Sequence, residues 1–126
     1  MTFDYEKARR DWKWDIPEYF NIASDCVDRI AETRGESVCL YWENHAGESK
    51  TFTYSEMKKL TDRFGAALRS LGVKKGDRIL LRLPNVPEFH IAFLGAMKIG
   101  ALPIPSSTMF KEKELEYLLN DSGACV

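Results

Sequence analysis

The residues that could do chemistry are few and scattered. Gly72, Lys74, Lys75 and Gly76 set two cations between glycines, a composition that a phosphate could use. A phosphate-cradling loop, however, ends in Gly-Lys-Ser/Thr and lies between a strand and a helix N-terminus, where backbone N–H groups converge. Here the stretch precedes a strand and lacks that ending, so it reads as a turn. Ser106, Ser107 and Thr108 follow a strand, at the end of a parallel sheet where ligands bind. They include no glycine, so the backbone cannot wrap an anion closely, and a loop that positions the next helix is expected. His90 lies in a helix with no Asp or Ser spaced to make it a base, and it reads as a rim or core histidine. His45 falls at a turn tip and is expected in solvent. Glu43, Glu48 and the charged run Lys111–Glu116 read as solvated faces with i,i+4 pairing. Cys26, Cys39 and Cys125 are an odd, widely spaced set without a CxxC or Cys/His cluster, and buried free thiols in a reducing cytoplasm are expected. From these residues no catalytic, cofactor-binding or metal-ligating position is predicted.

The elements that would position such groups are better defined, and the stretch from Arg78 to Pro105 organises them. Ile79, Leu80, Leu81 and Leu83 form a nearly continuous apolar run, the pattern of a strand buried on both faces. Pro84 ends it. Asn85 with Glu88 is expected to form a capping box, with Pro87 in the first helical turn, where a missing N–H costs nothing. The helix runs to about Ile99 and stops at Gly100, which can take the left-handed conformation. Ala101 to Pro105 returns as a second strand, completing a βαβ unit. This helix is apolar nearly all round, with only Glu88, His90 and Lys98 strongly polar. Such a helix is usually buried nearly all round, which a chain of 126 residues has trouble providing.

Upstream, residues 1–16 read as an arm with one helical turn at Tyr5–Trp12, its aromatics packed on its own domain. A helix near Ile22–Thr33 follows, with Ile22, Ala23, Cys26, Val27 and Ile30 as its apolar stripe and Gly35 as its end. Val38–Trp42 and Ser49–Phe52 read as an antiparallel hairpin around Asn44–Gly47. Thr53 and Glu56 form a T-x-x-E capping box, with Phe52 and Met57 as the hydrophobic staple around it. Met57, Leu60, Thr61, Phe64, Leu68 and Leu71 then form an inward stripe ended by Gly72. Downstream, a third amphipathic helix spans about Lys111–Asp121, with Leu115, Leu118 and Leu119 inward and Gly123 as its stop. Ala124, Cys125 and Val126 look like the opening of a further buried strand. The expected fold class is α/β, a partial N-terminal subdomain of parallel βαβ strands flanked by helices plus a β-hairpin, truncated within a strand.

Composition excludes several functions. Apolar residues make up 44% and charged residues 29%, ordinary for a globular domain, and the net charge is −1. That balance offers no basic patch for nucleic acid. No apolar run approaches the roughly 20 residues that a membrane span needs, and no secretory signal is read at the N-terminus. A cytoplasmic location is expected.

Several motifs together resemble the adenylate-forming superfamily. Phe52-Thr53-Tyr54-Ser55-Glu56-Met57 is similar to its first core motif, with Met57 where Leu is usual. Gly76-Asp77-Arg78-Ile79, Leu83-Pro84-Asn85, Pro87-Glu88 and Phe93-Leu94-Gly95-Ala96 continue in register. Lys98-Ile99-Gly100-Ala101, with Pro103 and Pro105, resembles the second core motif. Ile16-Pro17-Glu18-Tyr19-Phe20-Asn21 with Asp28 is similar to the opening of acyl-CoA synthetases that take medium-chain fatty or aromatic acids.

The resemblance implies a parent enzyme that activates a carboxylic acid with ATP, forms an acyl-adenylate and pyrophosphate, and passes the acyl group to coenzyme A. ATP, CoA and Mg²⁺ would serve that parent, and the fragment would bind none of them. The family's phosphate loop, its Tyr/Phe-Gly-x-Thr-Glu segment, the ribose-binding Asp and the catalytic lysine have no counterpart in this chain. The two matching motifs are read as structural, and residues 1–126 as the incomplete N-terminal part of the large domain. The expected partners are the remainder of the parent enzyme and its carboxylic acid, with no nucleic acid, and the isolated fragment is expected to self-associate. The alternatives are another adenylate-forming enzyme (acetyl-CoA synthetase, a luciferase-like enzyme or a peptide-synthetase adenylation domain) and a free-standing, non-catalytic interaction module.

Overall fold

A computed structural model of the chain describes residues 3–126. The arm holds one short helix, α1 (Tyr5–Asp11), opened by Asp4, whose carboxylate accepts from the Lys7 amide at 3.0 Å. The arm's aromatics do not pack on the domain as expected. Trp12, Trp14 and Tyr19 are 67%, 79% and 86% exposed, and the two indoles meet edge to face, with centroids 5.9 Å apart. No residue of α1 is buried, and among the described residues every position of the arm is exposed.

The next helix forms with a local widening. Ser24–Asp28 is π-helical, closed by the Arg29 amide donating to the Ser24 carbonyl, and runs on into α2 (Arg29–Arg34). Asn21 caps it, its Oδ1 accepting from the amides of Ala23 and Ser24. A π turn carries an extra residue and so re-aims the faces around it. Ala23 and Val27 are buried, whereas Ile22 and Cys26 of the expected stripe are exposed. Gly35 keeps a right-handed backbone; a Cβ there would fall 2.3 Å from Ser55 Oγ, so close approach, not a left-handed stop, selects glycine.

Strands β1 (Val38–Glu43) and β2 (Ser49–Thr53) pair antiparallel, as predicted, with an irregularity between Val38 and Leu40. Asn44 builds the turn: its Oδ1 accepts from the amides of Ala46 and Glu48 at 2.9 and 3.0 Å. Helix α3 (Tyr54–Ser70) opens with both halves of the predicted capping box. The Glu56 amide donates to Thr53 Oγ1 at 3.2 Å and the Thr53 amide to Glu56 Oε2 at 2.8 Å. The helix buries Met57, Thr61, Gly65 and Leu68. Leu71, expected on the same stripe, lies past the last turn and is exposed.

The βαβ unit is β3 (Arg78–Leu81), α4 (Pro87–Lys98) and β4 (Leu102–Pro105). The strands pair parallel from Arg78 opposite Leu102 to Leu81 opposite Pro105. Gly100 takes φ +78° as the predicted stop. The N-terminus differs from expectation. Val86, not Asn85, is the cap residue, and no side chain caps the helix. The residue before a proline is pushed to extended backbone, so Pro87 at the first helical position forces Val86 into the cap. Asn85 instead offers its carbonyl to Trp42 Nε1 at 2.8 Å, tying the hairpin to this loop.

The core lies between the parallel pair and two helices: Ile79 and Leu81 from β3, Ala92 and Ala96 from α4, Leu68 from α3, with Val73 and Ala101. Helices α3 and α4 approach closely through two glycines. A Cβ on Gly95 would sit 2.8 Å from the Thr61 carbonyl, and one on Gly65 would sit 3.0 Å from the Gly95 carbonyl. Within α4 only Glu88 is exposed, so the chain covers this apolar helix further than its length promised.

Arg78, Leu80 and Arg82 point to the other face of the sheet, by the alternation of a strand. There α5 (Glu112–Ser122) follows, Glu114 accepting from the Lys111 amide at 2.7 Å and Gly123 ending the helix at φ +60°. Leu115 and Leu118 are half-buried but Leu119 is exposed, so the predicted stripe is only partly covered. The Cys125 amide donates to the Arg78 carbonyl at 2.9 Å, and the Leu80 amide to the Val126 carbonyl at 2.7 Å. These residues run along the edge of β3 opposite β4, where the expected strand would lie, but Cys125 and Val126 are exposed. The thiols are free as expected but not buried: Cys26 and Cys125 face solvent and Cys39 is half-buried, its pKa raised by that burial.

Candidate functional site

The most concentrated polar chemistry lies where the π-helical stretch, α3 and α4 meet. Lys98, in the last turn of α4, keeps only 7% of its side chain exposed. Its ammonium donates to Asp28 Oδ1 and, at 2.7 Å, to Asp62 Oδ1. Lys58 donates to the other Asp62 oxygen at 2.7 Å and lies 3.9 Å from Asp28. The π turn delivers Asp28 to this point, and Lys58 and Asp62 are i,i+4 neighbours on α3. Burial pushes the Asp62 carboxyl up, but hydrogen bonds from Lys58 and Lys98 outweigh it and hold the group below the usual carboxylate range. The hydrogen bond to Asp62 raises the Lys58 pKa.

Asp28, Asp62 and Lys98 line an open cleft of about 470 Å³ together with Ser24, Arg69 and Ile99. The arrangement can hold helices together; it cannot easily hold a cation. Both carboxylates already accept from ammonium groups, and no cluster able to hold a metal occurs among the described residues. Beside it, Asn21 Nδ2 donates to the carbonyls of Met97 and Lys98 at 2.8 and 3.3 Å, satisfying acceptors at the end of α4.

The candidates weighed from sequence are dispersed. Lys74 and Lys75 lie in a turn between Gly72 and Gly76, both at φ +88°, with the Lys74 amide donating to Asp77 at 2.7 Å. Ser106 Oγ donates to the Leu81 carbonyl at 3.3 Å and Ser107 Oγ accepts from the Met109 amide at 3.1 Å, the local roles of a helix-positioning loop. His90 is half-buried edge-on to Phe89, with centroids 5.6 Å apart, and His45 is exposed in its turn. Sequence reasoning missed the Lys98 cluster. The signal was Lys98 itself, a lone cation in the last turn of an apolar helix, which needs an acid when buried.

Residues 27–126 match the AMP-binding enzyme family. That stretch is most of the chain and contains Asp28, Asp62 and Lys98. The chain belongs to the AMP-binding enzyme family. Acyl-coenzyme A synthetase ACSM3, mitochondrial, of Homo sapiens is 32% identical over 127 aligned residues, covering 96% of this chain and 22% of that protein. An acetyl-coenzyme A synthetase of Magnetococcus marinus is 38% identical over 103 residues, covering 80% of this chain and 16% of that protein. A benzoate CoA ligase structure from Burkholderia xenovorans superposes with a TM-score of 0.71 at 36% identity, over 84% of this chain and 20% of that one. The chain therefore spans about a fifth of the length of these family members. Within the family match, the Thr53–Glu56 segment caps α3, and the Lys98–Ala101 segment supplies both the glycine stop of α4 and the ammonium of the cluster. Among the described residues no helix is long and apolar enough to cross a membrane.

Proposed function

We propose that this chain is the N-terminal scaffold of an ATP-dependent acyl-CoA synthetase, which converts a carboxylic acid, ATP and CoA to acyl-CoA, AMP and pyrophosphate through an acyl-adenylate. The observation that carries this reading is the family match over residues 27–126, combined with a span of about a fifth of the relatives' length. Residues 1–126 then form the incomplete N-terminal part of the large domain, with 1–16 as its arm. The segment contributes no catalytic, cofactor-binding or metal-ligating residue; ATP, CoA and Mg²⁺ are bound by the remainder of the enzyme. Its polar groups support that division, since Lys98, Asp28 and Asp62 are engaged in holding helices together and the Thr61 hydroxyl donates within its own helix. The acid is a medium-chain or aromatic one; the similarity to a benzoate CoA ligase supports the aromatic option. The second reading, acetate, is favoured by the acetyl-CoA synthetase match. A cytoplasmic location is supported by three free thiols.

The test is acid-dependent ATP–pyrophosphate exchange, run on this chain alone and on the chain continued into the downstream reading frame. Exchange only in the continued protein, strongest with benzoate or a medium-chain acid, is the expected result. Exchange by the 126 residues alone overturns the scaffold reading, and a clear preference for acetate selects the second one. Alone, the chain self-associates through its exposed aromatics, Trp12, Trp14 and Tyr19 among them. The outer edge of β4 is a poor route, because Pro103 and Pro105 stand where outward N–H donors would be. Light scattering that finds a monomer at every concentration would count against self-association.

A further inference from the structure

We infer that Arg78 and Arg82 are positioning residues that seat α5 and the loop before it, in place of an apolar seam. Both project from the β3 segment to the face opposite Ile79 and Leu81, and each reaches a different end of α5. Arg82 Nη2 donates to the carbonyls of Thr108 and Phe110 at 3.0 and 2.7 Å, in the loop that precedes the helix. Arg78 Nε donates to the Ser122 carbonyl at 3.0 Å and its Nη2 to the Gly123 carbonyl at 2.8 Å, at the end of the helix. Carbonyls at a helix C-terminus lack partners within the helix and carry the negative end of its dipole, so a cation there is doubly favoured. Hydrogen bonds from an ionised donor are also the stronger kind.

Three further observations make these braces more than surface contacts. No residue of α5 is fully buried, and its apolar contact is limited to the half-buried Leu115 and Leu118. Among the described residues neither guanidinium pairs with a carboxylate; both are committed to main-chain oxygens. Position 123 is shaped to admit the brace. A Cβ there would lie 2.9 Å from Arg78 Nη2, so glycine serves both the left-handed stop and the guanidinium. The braces thereby hold residues 106–110 at the carboxyl ends of β3 and β4, the end at which open α/β sheets place ligands. A lysine could not reproduce the contacts, because its compact ammonium lacks the planar fork that spans two acceptors. The inference does not depend on the adenylation reading, since it concerns contacts within the chain itself.

The test is amide hydrogen exchange followed by mass spectrometry on the 126-residue chain. Arg82→Gln is expected to speed exchange in residues 107–116, and Arg78→Gln in residues 118–126, each on the order of tenfold or more, with α3 and α4 unchanged. Leu115→Ala should speed exchange in α5 less than either. Unchanged exchange in α5 for both arginine variants, or a larger response to Leu115→Ala, overturns the inference. So does a uniform acceleration through α3 and α4, which would make the arginines part of the global core. The milder Arg78→Lys and Arg82→Lys variants keep a charge and guard against outright unfolding. They should show the same localised pattern at smaller amplitude, and wild-type exchange in both would also overturn it.

Discussion

Replacing Lys98 with Met removes an ammonium from the junction of three helical segments while keeping the length of the side chain. The Lys98 side chain is 7% exposed and its ammonium serves two carboxylates, Asp28 at 22% and Asp62 at 45% side-chain exposure. At an effective dielectric near 20, two unit charges about 4 Å apart are worth about 4 kcal/mol of Coulomb energy before desolvation is counted. Removing one member of a fully buried pair costs roughly 3–5 kcal/mol, because the other charge is stranded. Here the stranded charges keep some solvent, and Lys58 remains bonded to Asp62 at 2.7 Å and near Asp28 at 3.9 Å. The expected loss for Lys98→Met is therefore about 2–3 kcal/mol, a large share of the roughly 5–15 kcal/mol that holds a domain folded. Asp28→Asn should cost about 1–2 kcal/mol, and Asp62→Asn only about 0.5–1 kcal/mol, since it is the most exposed member. Urea unfolding of the three variants and of the Lys98→Met/Asp28→Asn double variant measures the order and the coupling. A coupling above about 1 kcal/mol is expected for groups in direct contact. If Lys98→Met matches or exceeds wild-type stability, the desolvation of the ammonium outweighs its ion pairs, and the cluster does not hold the helices together.

The glycine contact between α3 and α4 makes a second prediction. A Cβ at position 95 would lie 2.8 Å from the Thr61 carbonyl and 3.0 Å from the Phe64 ring, and a backbone oxygen cannot step aside. Gly95→Ala should destabilise by about 1–3 kcal/mol, read as a lowered Tm, and Gly65→Ala by less, because its nearest backbone oxygen stands off at 3.0 Å and its other neighbour, Ile99 Cγ2, can partly yield. Acid should weaken the Lys98 cluster. The Asp62 carboxyl is depressed in the folded state, its two lysine hydrogen bonds overcoming the upward push of burial. Its contribution is then fully present above its unfolded value, about 4, and is lost as pH falls through the lower folded value. The urea midpoint should fall below about pH 4, and less steeply in Asp62→Asn. Thr53→Ala removes the cap of α3 and should cost about 1 kcal/mol by thermal melting, whereas Thr53→Ser should be nearly neutral.

What the chain's order of residues determined by itself is the set of local devices. The Thr53–Glu56 box, the Asn44 turn and the Gly100 and Gly123 stops all have partners within a few residues. Their geometry follows from backbone sterics and hydrogen bonding over one or two turns, so they survive in any context that lets the element form. The start of α4 was also written locally, but two local rules competed. The restriction that Pro87 places on Val86 prevailed over the capping preference of Asn85. The family, too, was legible in ordered short motifs, because those motifs are the same caps and stops.

Only the tertiary structure decided the rest. Asp28 and Lys98 lie 70 residues apart and Asp62 and Lys98 lie 36 apart, and no spacing rule reaches across such intervals. The lone lysine of α4 advertised a need for an acid but not which acid would meet it. The π turn that swings Asp28 inward and Cys26 outward breaks the period on which a stripe is read. Gly65 and Gly95 reveal their purpose only when α3 and α4 touch, and Arg78 and Arg82 only when α5 returns to their face of the sheet. The exposed aromatics of the arm make the same point in reverse. Apolar composition announces that a residue would gain by burial, while the folded chain alone determines whether a surface is there to receive it.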